Sequence, residues 1–459
     1  MEKSPRIEIS RKSSAYLMFL SCAVSIAWAI ALDSGKQGVA MGFPGVYFGT
    51  RCLIHQCDPY DVSRLNDFYT SAMPESQQDT EQRRQSVVLY VNLPSTFLVA
   101  APFAALPLKP AAAWWLAITV ILFSLSAFLV WDAAQSSAPW VAVLLVCIFL
   151  ANAEIIFAGG NTAGIVVSLC VVAVWCFLND RFPLAGVLCL GLSLAVKPHD
   201  ASFIWLYFLL ADQRWRRRAI QAAAFTIALL SVAVLWVSLV APHWLPEYRT
   251  NLAAISMHGG INDPGPSSIG MRVPGMVIDL QTVISVIRDD PGFYNLATYL
   301  VCGALGLIWL VTTLRSRHSR GNAWFALASI SSLTMLATYH RPYDAKLLLL
   351  AIPPCAVLWA EGGKVAAGAL LLTTASALII GDLPLAILVI FTQNLSLTHV
   401  GIGQKVLNLI LTRPVPLVLL AHAIFYLCIY VRRSRSPLKS IEGLPGSDID
   451  RVYGELSEC

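Results

Sequence analysis

Lys197 interrupts an apolar stretch, after PLAGVLCLGLSLAV and before Pro198, His199 and Asp200. A lysine ammonium is a compact cation suited to an anionic group such as a lipid phosphate. The alternative is a lysine that snorkels to an interface or pairs with Asp200. His340, Arg341, Tyr343 and Asp344 form a second group. A histidine titrates near neutrality, so beside a carboxylate it suits proton transfer or phosphate contact; the alternative is an ordinary polar turn. Glu154 and Asn161 bracket the pair Gly159-Gly160 and could line a cavity, although Glu154 could equally sit near the headgroups without a role. Further upstream come Tyr47, Arg51, His55, Asp58, Tyr60 and Asp61. Spaced by four and three, Arg51, His55 and Asp58 share one face if their segment is helical. The alternative is a solvated helix surface.

The elements that must position these residues lie in a membrane. Apolar residues make up 57% of the chain and charged residues 13%, against about 45–50% and about 25% in soluble domains. Runs of about 20 apolar residues recur, each able to cross a hydrocarbon core of about 30 Å as a helix. The first, 15–32, is read as a span and not a signal peptide, because no small-residue cleavage site follows it. Further runs lie at 87–106, 111–131, 138–158, 162–178, 183–196, 198–212, 219–241, 295–314, 322–339, 344–360, 363–381 and 414–431. The expected fold is an all-α polytopic membrane protein with about 12 spans. Parity requires one of the runs between 132 and 181 to be a half-helix broken at Gly159-Gly160-Asn161, which is tolerated where it lines a wet cavity. The segment 383–395 is expected to be re-entrant.

Four basic clusters set orientation: the tail 1–14, Arg214 to Arg218, Arg315 to Arg320, and Arg432 to Lys439. Lysine and arginine accumulate in short cytoplasmic loops. Both termini are therefore expected in the cytoplasm of an inner (plasma) membrane. The loops 33–86 and 242–294 then face outside, around a spanning domain at 15–431, with a flexible cytoplasmic tail at 432–459. In this topology 183–196 and 198–212 form a short hairpin whose tip, Lys197, is sunk towards the outer half of the membrane. An ionisable residue at such depth is costly and marks a site by default. The eleven cysteines show no metal-ligand spacing. Cys52 and Cys57 could pair, but free thiols are expected. The net charge of +5 reflects the basic clusters at membrane ends and is no nucleic-acid signal. Together these features describe an outer-face site for a substrate with a lipid tail and an anionic head.

Several stretches resemble glycosyltransferase family 87, whose known members are polyprenyl-phosphate-mannose-dependent mannosyltransferases of the GT-C fold. They are GFPGVYFGTR followed by DPYD, VNLPSTFLVAAPFAALP, GGNTAG, PLAGVLCLGLSLAVKP and TYHRPYDAKLLLL, in the family's order between residues 41 and 351. One position departs from the pattern. Gly42 stands where the family usually has an aspartate, its expected catalytic base. Three possibilities stay open: Asp58, Asp61 or Asp33 replaces it, the register differs by a few residues, or the chain does not catalyse the usual reaction.

The resemblance implies inverting transfer of a hexose, most simply mannose, from a polyprenyl-phosphate donor to the hydroxyl of a glycolipid or glycan acceptor at the outer face. Asp58 or Asp61 would be the base, Lys197 and Arg51 would hold the donor phosphate, and His340 with Asp344 would assist at phosphate or acceptor. Tyr47, Asn161, Arg341 and Tyr343 complete the expected substrate-binding set. No metal and no cofactor are expected; the lipid-linked sugar is a substrate. The second outer loop, with Asp263, Asp279 and Gln281, is the segment expected to choose the acceptor. A transporter of lipid-linked sugar would also explain a cavity and a cation, but no convincing repeat of the two halves is found. A silent relative that binds the lipid carrier is supported by Gly42 alone.

Overall fold

The computed structural model describes residues 10–34, 42–73, 84, 87–266, 268, 277–316, 318–392, 395 and 401–435. The tails before and after these residues, and the parts of the expected outer loops at 35–41 and 74–83, lie outside them. Every element among the described residues is a helix, and the protein is an all-α polytopic membrane protein. In chain order the helices are α1 (Arg11–Ser34), α2 (Phe43–Ile54), α3 (Val62–Ala72), α4 (Ser95–Ala104), α5 (Leu108–Ala134), α6 (Pro139–Ala151) and α7 (Glu154–Gly159). Next come α8 (Thr162–Leu178), α9 (Pro183–Val196), α10 (Pro198–Leu210), α11 (Gln213–Val240), α12 (Trp244–Ser256), α13 (Gln281–Ile284), α14 (Pro291–Arg315) and α15 (Arg320–Ala337). A 3-10 helix, Asp344–Ala351, leads into α16 (Ile352–Glu361), α17 (Gly363–Ile379), α18 (Asp382–Thr392), α19 (Ile402–Thr412) and α20 (Pro414–Arg435).

Among the described residues six stretches are long and apolar enough to cross a membrane: Arg11–Ala31, Leu108–Ala134, Pro139–Gly159, Gln213–Val240, Pro291–Arg315 and Pro414–Arg435. The helices α11 and α14 bury little of their apolar surface in the protein, leaving Leu235, Leu239, Leu300 and Leu307 on the outside. In water such a face would be costly; against acyl chains it is the expected exterior. Shorter apolar helices, α4, α8, α9 and α17, fill in between.

Two expected spans differ in the structure. The run 87–106 holds only a ten-residue helix, Ser95–Ala104. The carbonyls of Tyr90 and Asn92 are taken by Asn251 and Tyr60, so this part of the chain serves neighbouring loops and not its own helix. The run 138–158 breaks at Asn152, whose amide donates back to Ile148 O at 3.0 Å and ends α6. The break at Gly159-Gly160-Asn161 occurs where the local chemistry favours it. Gly160 adopts a left-handed φ of 55°, and the Asn161 side chain caps α8 by accepting from Ala163 N at 2.9 Å.

Contacts sort the loops into two ends. At one end Arg11 donates to Gln135, Trp140 packs on Trp359, Arg433 pairs with Glu361 and lies over Phe325, and Arg214 and Arg218 reach Asp180. At the other end α2 begins against the α7–α8 break, and Lys197 meets Asp344. The hairpin α9–α10 rises from the basic end. Its arms of 14 and 13 residues reach about 20 Å at 1.5 Å per residue, short of a core of about 30 Å.

Candidate functional site

The hairpin tip is set by proline. Pro198 cannot continue α9, and its fixed φ suits the first position of α10. Lys197 is left between them with φ −145° and ψ 75°. Its Nζ bonds the Asp344 carboxylate, stands 3.3 Å from Asp200 Oδ2, and lies 4.9 Å from the centre of the Tyr343 ring. The other Asp344 oxygen accepts the Arg341 backbone N–H at 2.9 Å. The lysine is thus shared by two buried carboxylates.

His340 is wholly buried. Its Nδ1 is 2.8 Å from Thr338 O, and its Nε2 is 3.3 Å from Asp200 Oδ1. Nδ1 is hydrogen-bonded, whereas Nε2 makes no hydrogen bond although the carboxylate is near. His199 packs edge-on against His340, ring centres 5.1 Å apart, and its own side chain is 41% exposed. The Arg341 guanidinium donates to the hydroxyl of Tyr339 and, at 3.4 Å, to Asn262 Oδ1. Among the described residues no carboxylate lies within ion-pair distance of it. Of the two cations, Lys197 is neutralised and Arg341 is the one left for an anion.

The α7–α8 break adjoins this cluster. Asn161 Nδ2 is 3.4 Å from the Tyr343 hydroxyl, and Gly42 N donates to Gly159 O at 2.7 Å. A Cβ built on Gly42 would stand 2.8 Å from Gly159 O and 3.1 Å from Asn161 Cα. An aspartate therefore does not fit at 42 on this backbone, and the glycine is what lets α2 start against the break. Glu154 opens α7.

The first loop holds a second site. Two expectations about it are corrected. Arg51, His55 and Asp58 do not share a helical face, because α2 ends at Ile54, His55 caps it and Gln56 turns back with φ 60°. Cys52 and Cys57 are not free thiols; they form a disulfide, Cα atoms 4.7 Å apart, across this reversal. Arg51 NH1 donates to Leu106 O at 3.0 Å and to the Tyr47 hydroxyl, which itself donates to Leu106 O at 2.8 Å. Both side chains thus tie α2 to the end of α4, on the wall of an open cleft of about 280 Å³ that also includes Phe48, Met73 and Leu108. Asp61 caps α3 by accepting from Ser63 N and Arg64 N.

Asp58 is buried; its Oδ1 accepts the Tyr60 N–H at 2.9 Å. It sits on an aromatic platform. Tyr60 packs against Phe97, Trp244 and Tyr248 at 5.8, 5.9 and 5.6 Å, and Asn251 Nδ2 donates to the carbonyls of Tyr60 and Tyr90. Glu247 lies beside Asp58. Loss of water, and then the Asp58 charge, push the Glu247 carboxyl up to about 7. A second negative charge beside a carboxylate disfavours ionisation, so Glu247 holds its proton up to neutrality. Glu247 was not singled out in the sequence. The signal was there: Trp244, Glu247, Tyr248 and Asn251 fall one helical turn apart, an amphipathic face of α12. The helix α4 joins the two sites: Phe97 carries Tyr60, and the Ser95 hydroxyl bonds Ala195 O just before Lys197.

Of the second-loop residues, Asp263 accepts from Gly259 N, Gly265 N and the Tyr294 hydroxyl. Asp279 accepts from Thr282 N, and Gln281 donates to Asn295. All three are buried and hold their own loop together. The side chain of Asp33 lies outside the described residues.

A sequence model of glycosyltransferase family 87 matches residues 90–338. This region contains Asn161, the Lys197 hairpin and Glu247. No curated protein and no solved structure matches the chain.

Proposed function

Because the chain belongs to glycosyltransferase family 87 and is a glycosyltransferase embedded in a membrane, we propose that it moves a hexose, mannose in the simplest case, from a polyprenyl phosphate to an acceptor hydroxyl, with inversion. The reaction takes place at the membrane face that carries α2, α3 and α12. The basic end faces the cytoplasm with both termini, and the fold is of the GT-C kind. The observation that carries this reading is a sunken hairpin tip, with Lys197 locked between two carboxylates and Arg341 free, among the described residues, of any within ion-pair distance. A lipid phosphate already in the membrane needs such a cation at that depth.

Asp58 takes the acceptor proton as the hydroxyl oxygen bonds to the sugar's anomeric carbon. The bond from that carbon to the phosphate oxygen breaks, and the electron pair leaves with the phosphate. Arg341 meets the charge that develops there, so it takes the role expected of Arg51, which is held at the end of α4. Lys197 with Asp200 and Asp344 fixes the tip on which Tyr343 and Arg341 stand.

The test is transfer from radiolabelled polyprenyl-phosphate mannose in membranes containing the protein. Labelled acceptor product supports the reading. A second reading, a lipid-carrier-binding relative without turnover, is favoured by Gly42; it expects donor binding with no product.

A further inference from the structure

We propose that His199, Asp200 and His340 form a binding site for a divalent transition-metal ion of the zinc class. One ligand atom from each residue lies within 4.8 Å of the other two. Asp200 Oδ1 is 3.3 Å from His340 Nε2 and 3.9 Å from His199 Nε2. Donors held at 2.0–2.1 Å around a tetrahedral ion stand about 3.4 Å apart, so small side-chain shifts close the set.

The tautomer of His340 favours this use. A backbone carbonyl only accepts, so the contact with Thr338 O at 2.8 Å places the proton on Nδ1. In the neutral ring Nε2 then carries a lone pair. Metal-ligating histidines characteristically donate their other N–H to a carbonyl or carboxylate in this way. His340 Nε2 is buried, makes no hydrogen bond, and stands 3.3 Å from Asp200 Oδ1. A buried lone pair that close to a carboxylate oxygen is repelled by it unless a cation, either a proton or a metal ion, takes up both. Lys197, 3.3 Å from Asp200 Oδ2, holds the carboxylate by its other oxygen and leaves Oδ1 to the histidines.

The surroundings suit a site with an open position. Lys197 is shared by Asp200 and Asp344, and among the described residues Arg341 has no carboxylate within ion-pair distance, so a divalent ion brings positive charge that an anion offsets. His199, 41% exposed, leaves that side accessible to an incoming oxygen ligand. Taken with the transfer reading above, that ligand is an oxygen of the donor phosphate. The separation of His340 from His199 along the chain explains why no ligand spacing was visible in the sequence.

The proton and the metal are separated by a binding experiment that does not depend on transfer. The purified full chain in detergent is stripped with a chelator and titrated with Co²⁺, read by its visible d–d bands, and with Zn²⁺ in competition with a chromogenic chelator. The expected result is one ion per chain. His199→Gln, at a part-exposed position with unchanged thermal unfolding, weakens binding by about tenfold or more. His258→Gln, beside Asp263 in the second loop, does not. Absence of stoichiometric binding, or equal binding by the His199→Gln protein, overturns the proposal and leaves an imidazolium–carboxylate pair. Either result leaves the transferase reading to its own assay.

Discussion

The hairpin tip and the first loop each bury carboxylates, but they treat them differently. At the tip, Asp200 and Asp344 are compensated by Lys197, which is anchored on span ends and the 3-10 helix. In the loop, Asp58 has another acid beside it, Glu247 from α12, on a platform of tyrosines and tryptophan. Compensated charges resist change and hold a shape. A carboxyl such as Glu247, raised to about 7, can give and take a proton near neutrality. Holding thus falls to Lys197 with its two acids at the tip, and the proposed proton transfer to the first loop.

The sharpest break of that division is Asp58→Asn. It removes the base, and turnover is expected to fall about 10²–10⁴-fold, measured as product formed at saturating donor. At the tip, Lys197→Met leaves two acids buried against each other. Loss of one partner of a buried pair costs about 3–5 kcal/mol, read as thermal unfolding of the purified protein. Adding Asp344→Asn to that variant should restore much of the loss; no restoration would mean that Lys197 supports the fold by packing alone.

Glu247 sharpens the comparison through pH. Its folded pKa is raised, so its contribution to stability is present below the ordinary glutamate range and lost as pH rises through about 7. Over the same range Glu247 becomes an anion beside Asp58, and the added negative charge favours arrival of the acceptor proton. Turnover is therefore expected to rise severalfold through neutrality, and Glu247→Gln should flatten the profile. Arg64 and Asp61 also face this carboxyl. The smallest effect belongs to Asp61→Ala. Loss of a helix cap costs about 1 kcal/mol, and turnover should stay at the wild-type level; a collapse of turnover would move the base from Asp58 to Asp61.

The parts legible in the sequence are those encoded locally. Pro198 ends one hairpin arm and starts the next, and Gly160 with Asn161 breaks and recaps a helix. Long apolar runs such as Gln213–Val240 announce themselves. The rest depends on distant partners. Nothing near Arg51 says that the carbonyl of Leu106 will take its guanidinium. The helix expected across 87–106 gives up its first turns because Asn251 and Tyr60 take those carbonyls. Glu247 and Asp58 lie far apart in sequence, so their meeting is a property of the fold. Gly42, read as a missing base, turns out to be a packing requirement.

The most direct test of the division sets Arg341→Gln beside Asp58→Asn, with kcat and the KM for polyprenyl-phosphate mannose measured for both. The account predicts that Arg341→Gln raises the donor KM on the order of tenfold, and that Asp58→Asn lowers kcat with the donor KM unchanged. A donor KM that is normal in Arg341→Gln, together with undiminished kcat in Asp58→Asn, would contradict it.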